Sequence, residues 1–125
     1  RRGPGRMARA ERLICGSTAL RDAGPGVRFE VEYFGEAAPA FLVRWEGRVY
    51  GYLNRCAHMP MELDWNPGDF FGIEARDLVC STHGAVYAVT DGRCLGGPCA
   101  GTPLVRLDVV ERDGAIYFLG IEDDG

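Results

Sequence analysis

The chain has two histidines, and each closely follows a cysteine: Cys56-Ala57-His58 and, further on, Cys80-Ser81-Thr82-His83, giving the pattern C-x-H-x21-C-x2-H. Both pairs lie in stretches broken by Gly and Pro. Thiolate and imidazole donors this far apart in sequence act together only if two loops meet at one point. Loops hold such a geometry when rigid elements carry them to the same end of a scaffold. The fold therefore has to deliver two irregular segments side by side.

The rest of the sequence supplies strands for that purpose. In "VRFEVEYF" (27–34), Val27, Phe29, Val31 and Tyr33 share one face while Arg28, Glu30 and Glu32 share the other. "AFLVRWEGRVYGYLN" (40–54) reads as a hairpin turning at Glu46-Gly47, "TDGR" as a tight turn at Asp91-Gly92, and "LVRLDVVERDGAIYFLG" (104–120) as a hairpin turning at Asp113-Gly114. "DLVC" reads as a short strand, and "RLIC" is strand-like, with Cys15 expected in the core. No long segment carries a helical apolar period. The expected fold class is all-β, an antiparallel sandwich or small barrel of short strands. Three irregular segments remain: about Cys56 to Gly72, "STHGA" (81–85) and "LGGPCAGTP" (95–103).

At 125 residues the chain fits one domain, and 46% hydrophobic residues are enough for a core. A basic tail at 1–9 and an acidic tail at 122–125 are set apart from the folded domain, 10–121. A net charge of −4 argues against a nucleic-acid partner. No apolar run approaches the ~20 residues of a membrane helix, and no stretch near the N-terminus reads as a secretory signal with an apolar core. Five cysteines, an odd number, suit a reducing compartment better than a disulfide framework. The expected location is cytoplasmic.

Two thiolates and two imidazoles suit either a tetrahedral structural Zn²⁺ or a [2Fe–2S] cluster with Cys on one iron and His on the other. Ligand count does not separate them. The arrangement favours the cluster, because each pair places its Cys before its His and no Cys-x2–4-Cys knuckle groups the candidate ligands.

With "CAH" and "CSTHG" in place, the chain resembles the Rieske-type [2Fe–2S] proteins, specifically the small soluble Rieske ferredoxins. The 21-residue spacer is slightly long, which the family tolerates. The resemblance spans about 11–120 and implies a Rieske-like antiparallel β-sandwich with a small cluster-binding subdomain of loops and short strands at about 55–88. It implies one [2Fe–2S] cluster per chain, with Cys56 and Cys80 on the buried iron and His58 and His83 on the outer one. It also implies a Pro-containing loop, with Pro98, that covers the cluster.

Departures from the family pattern bear on redox potential. High-potential members carry two further cysteines joined in a disulfide between the cluster loops, and here those positions are Met61 and Thr82. They also carry a Ser two residues after the second His, where this chain has Ala85. Their Tyr four residues after that His is matched by Tyr87, which is expected either to donate to a cluster ligand or to fill the core. Hydrogen bonds to cluster sulfur raise the potential, so losing the Ser and the disulfide lowers it. Cys94 and Cys99 lie outside the ligand set and are expected as free thiols, with a short disulfide between them as the alternative. Met59, Pro60, Met61 and Trp65 are candidates to shield the cluster or to fill the subdomain core.

Both histidines are committed, so no second iron site for an oxygenase is encoded, and no dinucleotide fingerprint follows a strand. The resemblance therefore implies a one-electron carrier without its own substrate site. Its redox partners would be a reductase donor and an oxygenase or reductase acceptor, with no nucleic acid and no membrane involved. The small subunit of a nitrite-reductase-like complex and a zinc protein using the same Cys2His2 set stay open as alternatives.

Overall fold

The computed structural model describes residues 11–55, 62–64, 68–71, 77–80, 84–97 and 102–121. The two tails lie outside them, as do Cys56, His58, His83, Pro98, Cys99 and the shielding candidates Met59, Pro60, Met61 and Trp65. The described strands are β1 (Arg12–Gly16), β2 (Val27–Tyr33), β3 (Glu36–Trp45), β4 (Arg48–Leu53), β5 (Asp77–Val79), β6 (Val86–Ala88), β7 (Cys94–Gly96), β8 (Arg106–Arg112) and β9 (Ala115–Ile121). A single 3-10 turn at Ser17–Ala19 follows β1. No α-helix occurs among the described residues, so none is long and apolar enough to cross a membrane.

Six strands form one antiparallel sheet in the order β1-β9-β8-β4-β3-β2. Its hairpins turn at Phe34-Gly35, Glu46-Gly47 and Asp113-Gly114, each with two consecutive positive φ angles. That is the primed geometry whose twist matches the flanking strands. The sheet curls until its edges approach one another. Arg12 on β1 donates to the Glu30 carbonyl on β2 (2.6 Å), and its guanidinium lies 5.8 Å from the centre of the Phe29 ring. Phe29 in turn meets Phe118 of β9 edge-on at 6.0 Å. The result is an incomplete barrel. Charged Arg28, Glu30 and Glu32 on the outer face of β2 keep that edge unattractive to further strands.

β3 is buried on both faces, which explains the unbroken apolar run "AFLV". Ala38, Ala40 and Leu42 join the barrel interior with Val31, Leu53, Leu107 and Ile116. Phe41 and Val43 point the other way, into a second core. That core is shared with a three-stranded sheet, β5-β6-β7, through Leu78, Tyr87 and Val89. Phe41 stacks on Phe70 with ring centres 3.9 Å apart and planes 11° from parallel. Tyr52 of β4 is fully buried, and its hydroxyl donates to the Val89 carbonyl just after β6. Gly92, at φ +78, lies against the Tyr52 ring, where a Cβ would come within 2.8 Å of it. Large sheet and small sheet thus share one apolar seam.

Candidate metal centre

The second Cys–His loop grows directly from the small sheet. β5 and β6 are paired through Val79 and Val86. One residue further, the Cys80 amide donates to the Ala85 carbonyl (2.8 Å), and the Gly84 amide donates back to the Cys80 carbonyl (2.9 Å). Cys80 and Ala85 therefore pair across the root of a loop, and His83 lies between them in sequence. Gly84 has φ +75, a conformation that costs glycine little. Cys80 is 1% exposed and is not in a disulfide. It sits in one cluster with Leu63, Phe70, Leu78, Ala85 and Tyr87.

The first loop leaves the large sheet at the end of β4. Asn54 follows Leu53 and keeps the chain on the sheet by donating its amide to the Pro39 carbonyl (2.8 Å). The chain is described again from residue 62, and Leu63 is buried in the same cluster as Cys80. The segment that carries Cys56 and His58 thus begins at the end of β4 and is followed by a residue packed in the cluster of the second loop's root. Two tethers reinforce this. The Val79 amide donates to the Phe70 carbonyl (2.9 Å), and the Gly26 amide donates to the Gly68 carbonyl (2.8 Å).

The third loop starts at the same place. Gly97, at φ +84, approaches so closely that a Cβ there would lie 3.0 Å from both Ala85 Cα and the Gly84 carbonyl oxygen. The loop that contains Pro98 therefore begins against the turn that bears Cys80. The roots of the second and third loops are therefore in contact, and Leu63, after the first loop, lies in the cluster of Cys80.

Of the expected site residues, the structure brings together Cys80, Ala85 and Tyr87, all buried in one cluster. Cys56, His58, His83 and Pro98 lie outside the described residues. A buried cysteine outside any disulfide, at the root of a loop, is suitable as a thiolate donor to a soft metal centre. Tyr87 is completely buried on β6, opposite Leu78 and Cys94. Ala85 presents a buried methyl where a hydroxyl would be needed to donate a hydrogen bond.

The cysteines outside the candidate set divide. Cys15 on β1 is half-buried against Leu20, Leu42 and Ile116, and burial pushes its thiol pKa up. It is at the margin of the core rather than fully inside it. Cys94 is disulfide-bonded, which corrects the expectation of a free thiol there. Spacing alone does not reveal this, because pairing depends on how the loop after β7 folds back.

Sequence reasoning passed over a polar network beside the first loop. Asn54 and Asp64 are 1% and 5% exposed and hydrogen-bonded to one another. The Asp64 carboxylate also lies 3.1 Å from Arg28 Nε on β2. A signal was present in the polar residues flanking the Cys–His segment, but only the fold shows that they are buried.

The family model of the Rieske [2Fe-2S] domain matches residues 12–111. None of the curated protein sequences matches the chain. Among solved structures it is similar to a chain in the complex of reduced oxygenase and oxidized ferredoxin in carbazole 1,9a-dioxygenase, with TM-score 0.71, 20% identity, and coverage of 93% of this chain and 98% of that one. It is similar to the ferredoxin of carbazole 1,9a-dioxygenase from Nocardioides aromaticivorans IC177, with TM-score 0.66, 24% identity, and 88% and 97% coverage. It is also similar to the Sphingomonas yanoikuyae B1 ferredoxin, with TM-score 0.67, 18% identity, and 91% and 100% coverage.

Proposed function

The chain belongs to the Rieske [2Fe-2S] domain family, and from that premise we propose that it is a one-electron carrier, taking electrons from a separate reductase and passing them to an oxygenase or another oxidoreductase component. The observation that carries this reading is Cys80, a buried cysteine outside any disulfide at the root of a loop whose sequence contains His83, in one apolar cluster with Leu63, which follows the segment with Cys56 and His58.

In this reading Cys56 and Cys80 would hold one iron, and His58 and His83 would hold the other. The group they would bind supplies a reversible one-electron couple. The chain's own residues do the rest. The Cys80–Ala85 and Gly84–Cys80 backbone bonds fix the second loop. Leu63, Phe70 and Leu78 bury the Cys80 side of the site, which would keep the local dielectric low there. Of Ala85 and Tyr87, only Tyr87 carries a hydroxyl that could donate to the site.

Whole-chain similarity to ferredoxins, one of them from a complex with an oxygenase, supports a carrier that docks on a separate enzyme. We assign 10–121 as the domain, with the cluster-binding part at about 55–88 and tails at 1–9 and 122–125. The location we assign is cytoplasmic. The absence of a disulfide at Cys15 and Cys80 is in keeping with it, and the Cys94 disulfide is the observation that counts against it.

An anaerobic reductive titration of the purified protein tests the proposal. The visible spectrum should bleach with one electron per chain, and the reduced protein should give a Rieske-type electron paramagnetic resonance signal. A colourless protein that takes up no electrons would point to the zinc reading instead.

A further inference from the structure

The segment with Cys56 and His58 leaves the large sheet at Asn54 and is described again just before Leu63 and Asp64. The Asn54 side chain spans that neck. Its Nδ2 donates to Asp64 Oδ1 (2.8 Å), and its Oδ1 accepts from the Leu63 amide (2.8 Å). The other oxygen of Asp64 accepts from the Gly68 amide (2.8 Å) and faces Arg28 Nε (3.1 Å). Arg28 Nη2 also reaches Glu62 Oε1 (2.8 Å), adding a second strap from β2 to the returning chain.

Burying an amide and a carboxylate is costly unless each polar atom finds a partner. An apolar pair of similar size would stabilise the fold about as well. What the polar pair adds is direction: three hydrogen bonds and an ion pair define the position of both ends of the neck. We infer that Asn54 and Asp64 are positioning residues for the metal centre. They would fix the loop that presents Cys56 and His58 without touching the metal themselves. The inference rests on the proposed ligand role of those two residues and uses only the described ends of the loop.

The test compares four proteins as purified with their cluster: wild type, Asn54→Asp, Asp64→Asn, and the double exchange that carries both changes. Each single change leaves two like groups facing each other across the neck and breaks the Asn54–Asp64 pairing. The double exchange restores it. Asp at 54 would accept from the Leu63 amide and from the new Asn at 64, whose oxygen would still accept from the Gly68 amide. Iron release to the chelator bathophenanthroline, the resonance signal of the reduced protein and the thermal midpoint are read for each.

Iron release from the single variants should be about tenfold faster or more, the scale on which outer-shell partners of a metal site act, with altered resonance values. The double exchange should return both readouts to wild type. Single variants that lose thermal stability but keep the wild-type release rate and signal would overturn the inference and leave the pair a purely structural neck. If the single variants do not fold, the double exchange decides. A well-folded double variant with wild-type release supports the inference, and one with fast release overturns it. Wild type without iron or labile sulfide would sink the cluster reading itself, an outcome distinct from all of these.

Discussion

Cys80 and Ala85 face each other across the root of the second loop, both fully buried, with the Cys80 amide donating to the Ala85 carbonyl at 2.8 Å. The residue that closes the loop around a proposed iron ligand is thus one with no hydroxyl. Rieske centres span about −150 to +300 mV, and hydrogen bonds to cluster sulfur raise the potential. This centre should fall in the lower half of that range. Ala85→Ser should raise the midpoint and Tyr87→Phe should lower it, both measured by protein-film voltammetry. A wild-type midpoint near the top of the range would contradict the assignment. An unchanged Tyr87→Phe midpoint would make Tyr87 a packing residue only.

The disulfide at Cys94 makes a separate prediction. Neither Cys15 nor Cys80 is in a disulfide, and Cys56 is assigned to iron, so peptide mapping under non-reducing conditions should find Cys94 joined to Cys99. Changing both to Ser should leave the visible spectrum intact. It should cost about 2 kcal/mol of stability, the loop-entropy estimate for so short a ring. Loss of colour with the fold retained would show that one of the two belongs to the site.

Glu111 links stability to pH. Both its oxygens are held by Arg44, at 2.6 and 3.1 Å. The Arg44 hydrogen bonds, aided by Ser17, hold its carboxyl below the ordinary glutamate range. A carboxylate with a depressed folded-state pKa contributes its full stability above the unfolded value, and loses it as pH falls through the folded one. Glu111→Gln should therefore cost about 1 kcal/mol at neutral pH. The difference from wild type should vanish as the solution is acidified below the usual carboxylate range. Denaturant midpoints of the two proteins at matched pH check this, and a gap that persists in acid would refute it.

Tyr52 joins the two sheets through its buried hydroxyl on the Val89 carbonyl. Tyr52→Phe should cost about 1 to 2 kcal/mol, the usual penalty for leaving a buried carbonyl without its donor. Chemical denaturation measures it, and no change in midpoint would show that the carbonyl finds another donor.

Local chemistry made much of the fold legible in the sequence. Alternation in 27–33 gives the observed exposed and buried faces of β2, and Glu46-Gly47 and Asp113-Gly114 turn where their residue types require. The Phe34-Gly35 turn was not legible. Phe34 adopts φ +51 at a hairpin tip while 89% exposed, and a bulky aromatic carries no turn signal. As a result β3 begins at Glu36, ahead of the apolar run at 40–43 that announces it. Curling of the sheet depends on Arg12 meeting Glu30 and Phe29 meeting Phe118, pairings that no local pattern encodes. At the site, the Cys–His spacing was readable because metal chemistry restricts donor types. Burial of Asn54 and Asp64 was not, because it depends on Arg28 arriving from a distant strand.

The most direct test of the central claim is quantification of iron, zinc and acid-labile sulfide in the protein as purified, alongside Ala variants of Cys56, His58, Cys80 and His83. A [2Fe–2S] centre held by these four residues predicts two irons and two labile sulfides per wild-type chain, and the loss of both from every one of the four variants. One zinc per chain with no labile sulfide, or a full complement of iron and sulfide in any of the variants, would contradict it.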